Sequence, residues 1–194
     1  KAAIQGGADS VYFGAGHLNM RSKSSQNFTL EDLDEIVAIC KQNGVRTYLT
    51  VNTIIYDNEL DEMRQIIDAA ARNKVSAIIA TDYAAIQHAR QKGMEVHIST
   101  QSNITNVEEV RFFSQWADVM VTARELNLNQ VAAITKAIKE QDIRGPSGKL
   151  VQIEIFAHGA LCMAISGKCY LSLHTLNESA NRGACLQPCR RAYQ

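Results

Sequence analysis

The chain has 194 residues, 46% of them hydrophobic and 21% charged, an ordinary globular composition with enough apolar mass for one sizeable core. Its 20 basic and 20 acidic residues cancel, so net charge gives no reason to expect a nucleic-acid or membrane surface as partner. No run approaches the roughly 18 apolar residues of a membrane span and no secretory leader is visible, so a cytoplasmic protein without a membrane partner is expected.

The opening KAAIQGG reads as the end of a helix, which predicts that further chain precedes it. Six short β-rich runs follow: 9–14, 46–52, 76–81, 95–100, 118–123 and 151–157. They are mostly apolar on both faces, as strands of a covered parallel sheet are. Helical patterns alternate with them. Residues 30–43 place Leu30, Leu33, Ile36, Val37 and Cys40 on one stripe, with Thr29 and Asp32 as a capping box and Gly44 as the stop. Residues 59–73 repeat the pattern with Leu60, Met63, Ile66, Ile67 and Ala70, and Asn106 with Glu109 forms a second capping box. Asp82 is placed to cap a helix over 83–92 that Gly93 ends. Cys40, on an apolar face, reads as a small buried hydrophobe.

This alternation predicts an α/β fold with right-handed crossovers, closed either as an open doubly wound sheet or as a (β/α) barrel. GAGHLN at 14–19 fails the G-x-G-x-x-G spacing, which weakens a dinucleotide fold. A TIM-barrel-like fold, incomplete and lacking its first strand, is therefore expected over 1–159. After Gly159 the rhythm stops, and 160–194 forms a Cys-rich segment that needs more than an apolar core to order it. From Phe156 onward Lys168, Arg182, Arg190 and Arg191 face Glu178 alone, a local balance of +3 that suits an anionic ligand or a solvated face.

Ligands of parallel β/α folds sit at the carboxyl ends of the strands. Those ends carry Arg21, Asn52, Asp82, Gln101, Asn103, Arg124, Glu125, Glu154 and His158, a mixture typical of a small polar ligand site. Glu154, inside an apolar run, must point to a partner or to solvent. Glu154, His158 and Arg124 are the candidate catalytic groups, and the others are candidate substrate contacts. His97, between Val96 and Ile98, reads as a lining or core residue.

The four thiols of the tail are spaced Cys162-x6-Cys169-x15-Cys185-x3-Cys189. Structural zinc favours tighter pairs, whereas iron–sulfur clusters take four thiolates at varied spacing. Two disulfides, or a nucleophilic Cys162 facing His158 one helical turn away, are further options.

The stretch EIFAHGALCMAISGKCYLS resembles the signature of the peptidase U32 family, and AAIQGGADSVYFG, NFTLEDL, VNTII, ISTQSNITN, TARELNL and NRGACLQPCRRAY resemble its successive blocks. The family carries the label collagenase-like protease. The resemblance also implies oxygen-independent hydroxylation: of a tRNA wobble uridine with prephenate as co-substrate, of a ribosomal RNA cytidine, or in ubiquinone synthesis. It implies a [4Fe–4S] cluster on Cys162, Cys169 and Cys185, with Cys189 or a cysteine further downstream as fourth ligand. The tRNA branch is the most similar, so an RNA partner, tRNA before ribosomal RNA, and a small carboxylic acid are expected. The chain has neither H-E-x-x-H nor G-x-S-x-G, and a peptidase or a barrel with structural zinc stands as the alternative.

Overall fold

The computed structural model describes residues 1–23, 28–159 and 162–191. A short helix α1 (Ala2–Gln5) precedes β1 (Ser10–Gly14). Then come α2 (Leu33–Gln42), β2 (Arg46–Val51), α3 (Leu60–Arg72), β3 (Ala77–Ala80), α4 (Tyr83–Gln91) and β4 (Glu95–Ile98). They are followed by α5 (Val107–Phe113), β5 (Val119–Val121), α6 (Leu128–Glu140), β6 (Gln152–Glu154) and α7 (Leu171–Leu176).

The strands form one six-stranded sheet in the order β1-β2-β3-β4-β5-β6, every neighbouring pair parallel. A doubly wound sheet reverses its strand order at a switch point. This order never reverses, so the sheet curls as half of a (β/α) barrel. All six expected strands are present, each shorter than its apolar run by the residues that turn into the loops.

Local chemistry sets the helix ends. The Asn106 side chain accepts the N–H groups of Glu108 and Glu109 at 3.0 and 3.1 Å, and Glu109 reaches back to the N–H of Asn106 at 3.3 Å. Asp82 accepts the Ala84 N–H at 2.9 Å. Thr29 lies outside its helix: Asp32, the residue before α2, takes both the Thr29 N–H and its hydroxyl, at 2.7 and 3.1 Å.

The core lies between sheet and helices. Leu49, Val51, Ile78, Ala80, Val96, Ile98 and Met120 face outward onto Met63, Ile66, Ile67, Ala85, Ile86 and Val110. Each large side chain buried there contributes about 1.5–3 kcal/mol. The inward face is different, and it corrects the expectation of strands apolar on both faces. It presents Tyr48, Thr50, His97, Ser99 and Glu154 beside Ile79 and Val121. Low in the half-barrel His97 is buried, its Nε2 lying 2.8 Å from Glu95, which also accepts from Arg46 at 2.7 Å. His97 is thus a lining residue with a structural partner.

Candidate functional site

The carboxyl ends of the strands open on a cavity of about 640 Å³. Of the residues singled out in the sequence, Arg21, Asn52, Gln101, Arg124, Glu154 and His158 line it, with Ser99 and the aromatic rings of Tyr12, Phe28 and Phe156. Glu154 is solvent-exposed inside the cavity, which resolves how a carboxylate sits within an apolar strand.

Asn52 ties three elements together. Its Oδ1 accepts the Met20 N–H at 3.1 Å, and its Nδ2 donates to Ser99 Oγ at 3.3 Å. The same Oγ accepts the Gln101 N–H at 3.3 Å. The loop after β1 is thereby fixed to the ends of β2 and β4. Two lining residues carry buried polar atoms without a protein partner, Gln101 Oε1 and Arg124 Nε. Such atoms are costly unless a ligand or water meets them.

Three sequence candidates lie elsewhere. Asp82 caps α4 and accepts the Ile55 N–H at 3.2 Å, lining a second, smaller cavity. Asn103 takes a left-handed conformation at the end of a 3-10 turn, its Oδ1 buried without a partner, and does not line the main cavity. Glu125 is exposed and outside the lining.

The Cys-bearing segment docks on this mouth through polar contacts. Arg124 Nη2 donates to Ser166 Oγ at 2.6 Å, and its guanidinium helps to lower the pKa of the Cys162 thiol. Arg182 forms a bidentate pair with Glu59, donates to the Ile54 carbonyl at 3.3 Å, and lies 3.8 Å over the Tyr56 ring. The Arg182 hydrogen bond comes first in holding the Glu59 carboxyl below its ordinary value; burial opposes it and the Tyr56 N–H adds to it. The Cys169 N–H donates to Asn181 Oδ1 at 3.1 Å, and the Ile54 N–H donates to the Asn181 carbonyl at 3.4 Å. Gly183, at φ +84°, sits so close to the first loop that a Cβ there would come within 2.4 Å of Ser22 Oγ and the Asn19 carbonyl.

All four tail cysteines and Cys40 carry free thiols; the tail four are half-buried and Cys40 is buried, as its helix face predicts. Burial pushes the Cys162 thiol up, but the N–H groups of Ala164 and Met163 and the Arg124 guanidinium outweigh it, so its pKa is lowered. The option of a one-turn pairing of His158 with Cys162 depends on residues 160 and 161, which lie outside the described residues; the Arg124 guanidinium is the charged group that favours the Cys162 thiolate. A stabilised thiolate, small neighbours and four sulfur donors suit an iron–sulfur cluster chemically. Among the described residues, no group of three or more His, Cys, Asp or Glu side chains is arranged to hold one metal ion.

Ser166, Asn181, Arg182 and Glu59 escaped the sequence reading, because nothing in their spacing marks a docking contact. The exposed ring of Phe156, one residue past an inward-facing run, carried a usable signal in its alternation with Glu154.

Fold and site together define a parallel (β/α) half-barrel with a polar mouth and a thiol-bearing cap. The chain belongs to peptidase family U32, whose model matches residues 1–194. It is 60% identical over 192 residues to a protein named collagenase from Porphyromonas gingivalis, covering 99% of this chain and 46% of that protein. It is 37% identical to the 23S rRNA 5-hydroxycytidine C2501 synthase of Escherichia coli, over 100% of this chain and 28% of that enzyme. It is 33% identical to the tRNA hydroxylation protein P1 of Bacillus subtilis, over 100% of this chain and 44% of that protein. The solved structure of a U32 peptidase matches with a TM-score of 0.57 at 14% identity, covering 79% of this chain and 86% of that one, which supports the fold. The chain spans less than half the length of these curated relatives. No helix among the described residues is long and apolar enough to cross a membrane.

Proposed function

We propose that the chain belongs to an oxygen-independent RNA hydroxylase that acts on a tRNA wobble uridine and draws on a small carboxylic acid such as prephenate. Arg124 carries this reading. One guanidinium lines the cavity, bonds Ser166 of the thiol segment, favours the Cys162 thiolate, and among the described residues leaves a buried Nε without a partner. A planar cationic fork of this kind suits a carboxylate. Relatives named for hydroxylation of tRNA and of ribosomal RNA at 33% and 37% identity support an RNA substrate, and such a substrate implies work in the cytoplasm.

In this proposal Arg21 and Arg124 bind the acid, Asn52 and Gln101 orient the ligand, and Glu154 and His158 hold or move a proton at the reacting face. Cys162, Cys169, Cys185 and Cys189 hold a [4Fe–4S] cluster, which supplies one-electron chemistry when bound. Anaerobic purification with iron and sulfide analysis tests it, alongside nucleoside mass spectrometry of tRNA from cells lacking the gene. Iron and sulfide near four of each per chain, and loss of 5-hydroxyuridine, are the expected results. A colourless protein that stays iron-free after reconstitution with its thiols intact, or that returns zinc, sinks the cluster.

The second reading is a peptidase, and the 60% identity to a collagenase-named protein favours it. There Cys162→Ala abolishes cleavage of denatured collagen while metal content stays unchanged. A wild-type protein that leaves denatured collagen intact removes this reading.

A further inference from the structure

Beside the mouth lies a second cavity of about 240 Å³, formed where the loops after β2, β3 and β4 meet. Thr53, Thr81, Ser102 and Asp82 line it, and Tyr83 and Ile54 flank it. The Thr53 side chain is 2% exposed, and its hydroxyl is buried without a partner. The Thr81 hydroxyl is likewise buried and unpartnered. Two unmatched hydroxyls in one cavity each forfeit a hydrogen bond unless something polar meets them. Ser102 brings a third hydroxyl. Each Asp82 oxygen already accepts one backbone N–H, and each keeps a lone pair for another donor.

The rim has the opposite character. The Tyr83 ring is 63% exposed and Ile54 is 44% exposed, and with the buried ring of Phe113 they set apolar surface beside the hydroxyls and the carboxylate. That combination fits a planar ring carrying hydroxyl or amino donors. The two cavities have no lining residue in common, but they flank the same two loops. Asn52 lines the mouth and Thr53 the second cavity; Gln101 lines the mouth and Ser102 the second cavity.

We infer that this cavity is a subsite for the nucleoside next to the one held in the mouth, its base against Tyr83 and Ile54 and its donors on Thr53, Thr81 and Asp82. The inference rests on the RNA reading above. It assigns a specificity role to three loops that the reacting nucleoside does not explain, and it makes single-stranded RNA the form recognised, because adjacent bases must be splayed to fill adjacent cavities.

The test compares uridine 5′-monophosphate with the dinucleotide UpU, titrated into the intact protein without air. Stacking of one further base predicts that UpU binds about ten-fold tighter than the mononucleotide. Tyr83→Ala removes most of that gain and Thr53→Val part of it, while binding of the mononucleotide changes in neither. Thr53→Val is also expected to fold, since an unpartnered hydroxyl gives way to a methyl of the same shape. Binding of the mononucleotide with no gain for UpU overturns the subsite alone. So does a gain that survives in both variants, and the hydroxyls then serve only ordered water. A wild type that binds neither probe overturns the RNA reading and the subsite together.

Discussion

Residues 1–159 and residues 162–191 are held in place by different forces. The half-barrel rests on a continuous apolar interface between sheet and helices, in which Leu49, Ile67 and Ile78 are fully buried. The thiol segment contributes only Ala180, Ala184 and Pro188 to the buried apolar set, and its contacts with the barrel include Arg182 on Glu59, Ser166 on Arg124, Lys23 on Glu178 and the close approach of Gly183. Apolar burial is non-directional and adds up over many residues, whereas a polar latch is directional and depends on one or two atoms. The barrel is therefore expected to tolerate loss of the segment, and the segment is expected to respond to small changes at its latches.

The largest effect tests the barrel. Leu49→Ala is expected to cost about 3 kcal/mol in urea unfolding, since it opens a cavity in a packed interface. A loss below about 1 kcal/mol would show that the interface collapses around the gap. Next, Gly183→Ala forces a left-handed residue and a clash with the first loop, costing about 2 kcal/mol. It is expected to raise alkylation of Cys169 and Cys185 while leaving the far-ultraviolet spectrum of the barrel intact. Glu59→Gln leaves Arg182 partly buried without its charge partner, an expected cost of about 2 kcal/mol. Protease cleavage within 162–191 should then accelerate, and unchanged cleavage would place the latch elsewhere.

The same pair sets a pH dependence. Because the folded Glu59 carboxyl titrates below its ordinary value, near 4.5, the pair's contribution is complete above that value and is lost as pH falls through the lower folded one. Pepsin cleavage of the segment is expected to rise as pH falls below about 4.5, and the rise should vanish in Glu59→Gln. The smallest effect is Asp82→Ala, about 1 kcal/mol for a lost cap, seen as a lowered thermal midpoint.

The contrast also explains what was legible in the sequence. Strands, helix stripes and caps depend on neighbours within a few residues, so Asn106 with Glu109, Asp82, Gly44 and Gly93 could be read directly. The mouth was legible in outline, because strand ends of a parallel sheet converge whatever the loops do. Which end residues share a cavity was not: Asn52 and Asp82 both follow strands, yet one faces the mouth and the other a separate cavity. The latch was illegible altogether, since Arg182 and Glu59 stand 123 positions apart with no periodicity linking them.

The two faces of the sheet divide labour in a way that bears on how such proteins diversify. Most of the apolar cohesion lies on the outward face, while the inward face mixes polar side chains with Ile79 and Val121 around the open cavity. Exposed side chains at the strand ends, such as Tyr12 and Glu154, can be exchanged at small thermodynamic cost, whereas Asn52 and Ser99 hold the loops to one another. A scaffold built this way lets new substrate preferences arise without first gaining reserve stability, and proteins that share its outer wall are free to differ in what they take inside.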